Sequence, residues 1–174
     1  AAVEQGRIVY DNLQKFIRVQ VANLFMFILA FVGSSLFAIA GTALFSPLQV
    51  LWIHMAVAAP IGGVLGLDAA SPGIMQRRPR PFDEQLISRP MMVRLFFGGL
   101  FMAGAARILT EIGKTTYGSL EVGQSMALVG LSLMNIFLAL NLRFPEDSAF
   151  GRATLANPRF LMAIAWVVIA SILF

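Results

Sequence analysis

The sequence predicts an all-α, multi-pass membrane helical bundle of about five transmembrane helices, on three grounds: its composition, a long uncharged stretch and the placement of its basic residues. Of 174 residues, 58% are hydrophobic and only 13% charged, against about 25% charged in soluble domains, and the mean hydropathy is +0.79. The 49 positions between Arg18 and Asp68 contain no Asp, Glu, Lys or Arg, enough for two crossings at about 20 apolar residues each. The net charge of +4 sits in short loops between apolar runs, which marks membrane topology; no nucleic-acid partner is expected. The absence of cysteine excludes disulfide frameworks, thiolate metal sites and cysteine nucleophiles.

The elements follow in order. Ile8, Val9, Leu13, Phe16 and Ile17 recur at three- and four-residue steps, with Arg7, Asp11, Gln14, Lys15 and Arg18 between them, the pattern of an amphipathic helix. If this helix continues into the first span, Val19–Ala40, the rod from Arg7 measures roughly 50 Å, against a hydrocarbon core of about 30 Å. Residues 1–18 are then a cytoplasmic stalk; the alternative is an amphipathic anchor lying on the headgroups. The second span, Phe45–Leu67, is interrupted by Ala59-Pro60-Ile61-Gly62-Gly63. Pro60 is the expected helix break, because proline lacks the N–H that closes a helical turn, and irregular backbone at membrane depth survives only beside protein or a water-filled cavity. Such breaks often mark ion sites; the alternative is a kink packed by Gly62 and Gly66.

Residues 68–90, with Pro72, Pro79, Pro81 and Pro90 among four arginines, cannot form a long helix and read as a basic strap. It serves either as a connector or as a docking surface for a cytoplasmic domain or anionic lipid. The third span, Met91–Leu109, carries Arg107, expected to pair with Glu111 one turn on, and packs through Gly99 and Ala103. The fourth, Val122–Leu142, is uncharged. A fifth begins near Phe160 and has 15 residues before the chain ends, short of a full crossing. Residues 19–174 are thus expected to form the transmembrane domain, and the chain reads as a fragment of a longer protein, with no cleavable signal peptide. With five spans, eleven basic residues fall on the side of the N-terminus and Lys114 alone lies in the opposite loops, so the N-terminus is expected to be cytoplasmic. The protein is expected in the plasma membrane.

His54 is the only histidine and lies about ten residues into its span. An intramembrane ionisable group is a functional candidate by default: a neutral imidazole can ligate a transition ion and an imidazolium can carry a proton. The other reading is a packed histidine bonded to a helix carbonyl. Met26 and Met55 are expected to be packing residues.

Several segments together resemble a known family. Ala2-Val3-Glu4-Gln5-Gly6-Arg7, Tyr10-Asp11-Asn12 and Phe16-Ile17-Arg18 resemble the junction where cation-transporting P-type ATPases of the calcium-pump-like branch leave their phosphorylation domain and enter the fifth membrane helix. Pro47-Leu48-Gln49-Val50-Leu51-Trp52-Ile53 is similar to the start of the sixth. Gly66, Ile74-Met75-Gln76-Arg77, Pro79-Arg80 and Leu86-Ile87-Ser88 are similar to the following loop. Gln124-Ser125-Met126-Ala127-Leu128 and Ala139-Leu140-Asn141 are similar to the eighth helix. The resemblance implies helices five to nine of a ten-helix pump, with the final helix and everything upstream missing. It implies ATP and Mg²⁺ as cofactors of the full-length protein and none for the fragment. The implied partners are the lipid bilayer, a transported cation and the upstream domains and helices of the same chain.

The resemblance also locates ligand positions, and here the sequence departs from calcium pumps. Where those pumps place an Asn and a Glu on the fifth helix, this chain has Leu24 and Phe27. For Asn, Thr and Asp on the sixth it has His54, Val57 and Ala58, and for Glu on the eighth it has Asn135. Asn23 lies one place from the expected amide. The candidate ion-pathway residues are therefore Asn23, His54 and Asn135, all neutral, whereas Ca²⁺ takes six to eight oxygens, usually including carboxylates. A carboxylate from the missing fourth helix would complete such a set. The expected function is the membrane portion of an ATP-driven cation pump, forming part of the ion pathway and coupling it to a missing phosphorylation domain. It would be an enzyme only as part of the full-length ATPase, since the phosphorylation and nucleotide-binding segments lie outside this sequence. The alternatives are a non-transporting membrane scaffold or degenerate pump module, and a small independent channel or carrier.

Overall fold

In a computed structural model the structure describes residues 2–36, 44–70, 73–77, 85–143 and 157–173. Among these, regular structure is helical throughout. The helices are α1 (Ala2–Leu36), α2 (Pro47–Gly66), α3 (Arg89–Tyr117), α4 (Leu120–Arg143) and α5 (Pro158–Leu173). The first four are long and apolar enough to cross a membrane; α5, at 16 residues, is a shorter apolar helix. Residues 37–40 of the first span, and Pro72, Pro79 and Pro81 of the strap, lie outside the described residues.

Local chemistry sets the helix ends. Ser46 caps α2 in a reciprocal box: its hydroxyl accepts from the Gln49 N–H, the Gln49 side chain accepts from the Ser46 N–H, and Pro47 takes a first-turn position that needs no N–H. At α3 the Ser88 hydroxyl accepts from the Met91 N–H, and Pro90 again sits in the first turn. Gly118 ends α3 at φ 68°, a left-handed conformation that costs glycine little. The Asn157 side-chain oxygen accepts from the Arg159 and Phe160 N–H groups at the start of α5.

α1 runs without a break for 35 residues, about 52 Å at 1.5 Å per residue. Its N-terminal part packs against the segment after α2: the Arg7 guanidinium donates to the carbonyls of Ile74 and Arg77, and Arg77 pairs with Asp11 at 2.7 Å.

Close backbone approach fixes the bundle. A Cβ on Gly99 would meet Phe25 Cβ at 2.7 Å and the Ala22 carbonyl at 2.9 Å, so α3 lies directly on α1. Gly113 and Gly123 place α3 and α4 in contact so tight that a Cβ on either would strike the other helix's backbone. Gly62 abuts the Phe16 ring, whereas Gly66 faces open space, so only the first of that pair packs α2. The buried side chains form two clusters. One holds Val19, Ala22, Val57, Ile61 and Ile136 toward the Asp68 end. The other holds Met26, Phe27, Ile53, Leu128 and Leu131 toward the opposite end.

α2 differs from the expected break. Its irregularity is a π-helical turn, Ile53–Ala58, ahead of Pro60, after which the α-helix resumes through Gly66. The Ala59 N–H reaches back five residues to the His54 carbonyl. Proline at 60 has no N–H for the carbonyl four residues earlier; that carbonyl, of Ala56, accepts a bond from the Trp166 indole N–H at 3.0 Å. The proline thus creates a docking point for α5 instead of dividing the helix.

Candidate functional site

Two polar groupings are built into this bundle, one in its middle and one at its end. The middle grouping lies at the seam between the two apolar clusters. Asn23 sits on α1 between Ala22 of one cluster and Met26 of the other; Asn135 sits on α4 between Leu131 and Ile136; the π-turn of α2 runs between Ile53 and Val57. Asn23 is 4% exposed and Asn135 fully buried. Neither amide atom of Asn23 has a hydrogen-bond partner. Asn135 donates through Nδ2 to the Leu131 carbonyl at 3.1 Å, and its oxygen is unsatisfied. An unpaired buried amide costs roughly 1–3 kcal/mol per group, so a seam holding three such atoms is a departure from the apolar filling on either side.

His54 lies on the outer side of the same region. It is exposed, its ring stacks on Phe27 at 4.7 Å between centroids, and its Nδ1 is 2.8 Å from the Val50 carbonyl. With Nδ1–H donated to that carbonyl, Nε2 is the nitrogen left for a ligand or a proton. Asn23 is one turn before Phe27 on α1, so the histidine stacks on the residue next along the helix from the buried amide. Asn23 and Asn135 thus each lie where their own helix passes from one apolar cluster to the other, and His54 is exposed, as are Leu24, Ile28, Leu51 and Met55 on α1 and α2. Among the described residues, no three His, Cys, Asp or Glu side chains converge to hold a metal ion. Arg107 pairs with Glu111 at 2.8 Å as its spacing suggests.

The end grouping is a buried ionic knot that sequence reasoning misses. Asp68, directly after α2, is 4% exposed. Arg143, from the last turn of α4, grips its carboxylate with two bonds, Nε to Oδ2 at 2.8 Å and Nη2 to Oδ1 at 2.7 Å. Lys15 of α1 donates to Oδ2 at 2.9 Å, Asn157 donates to Oδ1 at 2.8 Å, and Asn12 donates to the Asp68 backbone carbonyl at 2.7 Å. The Arg143 guanidinium also lies 4.6 Å over the Phe160 ring. One carboxylate thus joins α1, α2, α4 and α5. Burial pushes the Asp68 carboxyl upward, but the hydrogen bonds and charges of Arg143 and Lys15 outweigh it and hold the group below the usual carboxylate range. In the sequence, Lys15 and Arg143 count only as charges marking one side of the membrane. The signal that could have found the knot is Asp68 itself, an acid at the end of a 49-residue uncharged run, where burial demands a cationic partner.

Four helices long and apolar enough to cross a membrane, with a shorter apolar fifth, define a multi-pass membrane helical bundle. Residues 42–174 match the family model described as cation transporting ATPase, C-terminus, and the chain belongs to that family. It is 32% identical over 160 residues to "Cation-transporting ATPase pma1" of Synechocystis sp., covering 88% of this chain and 17% of the relative. It is 29% identical over 175 residues to "Calcium-transporting ATPase" of Bacillus subtilis, covering 99% of this chain and 19% of the relative. To "Calcium-transporting ATPase 1" of Lactococcus lactis it is 27% identical over 168 residues, covering 95% and 18%. The chain therefore spans less than a fifth of the length of these relatives.

Proposed function

We propose that this chain forms part of the ion pathway of an ATP-driven cation pump, and that the cation passes the seam between Asn23 and Asn135 beside the π-turn of α2. The observation that carries this reading is Asn23: a buried amide with both polar atoms unsatisfied is costly in a pure packing role and useful where a partly dehydrated cation passes. The Asn23 and Asn135 oxygens would each offer one neutral ligand. His54, through Nε2, would contribute from the adjoining face, where an upstream helix packs and supplies the missing negative charge. Residues 1–18 act as a cytoplasmic stalk carrying motion from the phosphorylation domain, residues 19–174 as the transport domain, and residues 68–90 as a cytoplasmic strap. The N-terminus lies on the cytoplasmic side of the plasma membrane, in line with the basic residues on that side. ATP and Mg²⁺ act in the upstream part of the full-length protein.

The test is ATP hydrolysis and vesicle uptake by the full-length protein across Ca²⁺, Mn²⁺, Zn²⁺, Na⁺, K⁺ and protons, with Asn23→Leu, Asn135→Leu and His54→Ala alongside. Stimulation by one cation, abolished by the asparagine changes, supports the pathway. The absence of carboxylates from the seam among the described residues favours the scaffold as a second reading; stimulation by no cation would favour it further.

A further inference from the structure

We propose that Lys15, clamped to Asp68, is the fulcrum of α1: it fixes the shaft against α4 and α5 at one level and makes Asn23 respond to displacement of residues 2–11 by tilt. The inference rests on the pump reading above and names the positioning residue that reading lacks.

The argument begins with what is held. The Lys15, Asp68 and Arg143 side chains are 6%, 1% and 1% exposed, so no bulk water stands ready to replace a lost bond. The Asp68 carboxylate is fixed from the opposite side by two bonds from Arg143 and one from Asn157. Asn157 also caps α5 through its side-chain oxygen, which ties the clamp to the start of that helix. Lys15 therefore binds to an anchor belonging to α2, α4 and α5, and Asn12 adds a second bond from the same face of α1 to the Asp68 carbonyl. An axial slide of one residue, about 1.5 Å, would carry the Lys15 ammonium away from a carboxylate oxygen now 2.9 Å distant. Rotation about the contact leaves that bond in place.

The arms follow from helix geometry. Arg7 lies eight residues before Lys15 and Asn23 eight residues after it, so each arm is roughly 12 Å along an unbroken helix. A tilt of roughly 10° would move Asn23 by about 2 Å relative to α4 on such an arm, enough to make or break a ligand contact. The outer arm is held by half-buried Arg7 on the Ile74 and Arg77 carbonyls and by buried Asp11 on exposed Arg77. Between the buried anchor at Asp68 and these contacts stands Gly73 at φ 67°, a conformation that favours glycine and lets the chain turn there. The loop is thus pinned at one end and attached to the moving arm at the other.

The experiment uses the full-length pump in proteoliposomes with whichever of Ca²⁺, Mn²⁺, Zn²⁺, Na⁺ and K⁺ stimulates its ATPase, and compares wild type, Lys15→Met and Lys15→Arg. The readouts are cations moved per ATP and hydrolysis without the cation. Lys15→Met leaves the Arg143 and Asp68 pair to hold the bundle, so phosphoenzyme formation from ATP should persist. Cations per ATP should fall at least twofold and cation-free hydrolysis should rise, with Lys15→Arg restoring both. A Lys15→Met enzyme that loses hydrolysis and transport in proportion, with the ratio unchanged, would overturn the fulcrum and leave a merely structural lysine. Should that variant not accumulate, Asn12→Ala is expected to lower the ratio in the same direction, and an unchanged ratio there overturns the proposal equally. A wild type stimulated by no cation would instead sink the pump reading, and this inference with it.

Discussion

Replacing Asn23 by leucine separates packing from passage. In the present structure both amide atoms of Asn23 are buried without a partner, and leucine has the same branching in a bulkier side chain with no polar atom to desolvate. Each unsatisfied buried group costs about 1–3 kcal/mol, and exchanging it for an apolar side chain of similar shape is neutral to stabilising. Asn23→Leu should therefore raise the stability of the bundle by about 1–3 kcal/mol, the lower end allowing for imperfect fit. For a domain of this size the thermal midpoint moves roughly 2–4 °C per kcal/mol. Asn135→Leu should gain less, because it also gives up the bond from Nδ2 to the Leu131 carbonyl. The measurement is the thermal unfolding midpoint of the full-length protein in detergent, beside cation-stimulated ATP hydrolysis. The expected pair of results is opposed: a higher midpoint with stimulation lost. A lower midpoint, or a higher one with stimulation intact, would refute the argument that Asn23 is kept unsatisfied for a cation.

Other outcomes follow from contacts elsewhere in the bundle. Gly113→Leu should overpack the contact between α3 and α4 and cost at least about 1–3 kcal/mol, whereas Gly104→Leu, with open space around it, should leave the unfolding midpoint nearly that of wild type; equal effects would mean the helices do not touch at Gly113 and Gly123. Asp68 has its folded pKa lowered, so its stabilisation is present above the unfolded value near 3.9 and is lost only as pH falls through the lower folded one. Asp68→Asn should consequently destabilise by about 3–5 kcal/mol with no dependence on pH between roughly 5 and 8 attributable to this group, as scored by unfolding across that range. Trp166→Phe removes the bond to the Ala56 carbonyl and should cost about 1–3 kcal/mol, read as earlier proteolysis or hydrogen exchange of α5; unchanged protection would show that the carbonyl freed by Pro60 is satisfied some other way.

Much of this architecture is legible because a membrane helix writes its length into composition. The uncharged run from Val19 to Leu67 allows two crossings, and the continuity of α1 past Arg18 follows from a three- and four-residue apolar rhythm that does not stop at the first charge. The family resemblance is legible for the same reason, since junction and loop motifs keep their order along the chain. The site is legible only in part. Asn135 comes from matching a position to a ligand site and Asn23 from lying one place beside another, but the unsatisfied Asn23 amide and Asn135 oxygen depend on which neighbours the packing supplies. His54 lies within its span as expected, but its exposure and its stacking on Phe27 depend on which face of α2 the other helices cover, and spacing does not give that. The Asp68 knot is legible only as an acid ending the uncharged run; its partners are not. A charge at the end of an apolar run is ordinarily solvated, and only the joining of residues 15, 68, 143 and 157 in space shows that these are not.

The two polar groupings differ in kind, and the difference follows from where each lies. At the end of the bundle, full charges can be buried because Arg143, Lys15 and Asn157 meet one carboxylate with directed bonds, so each hydrogen-bonding demand of Asp68 is answered within the protein. Breaking such a knot is costly, which suits an anchor. In the middle, an ion pair of that strength would hold a cation's ligands to one another and not to the cation. Amides left unsatisfied, with a helix widened by a π-turn beside them, leave the local demand open at modest cost. A fixed charged end and an open neutral middle on one unbroken helix are what a shaft requires if it is to turn about one point and alter contacts at another.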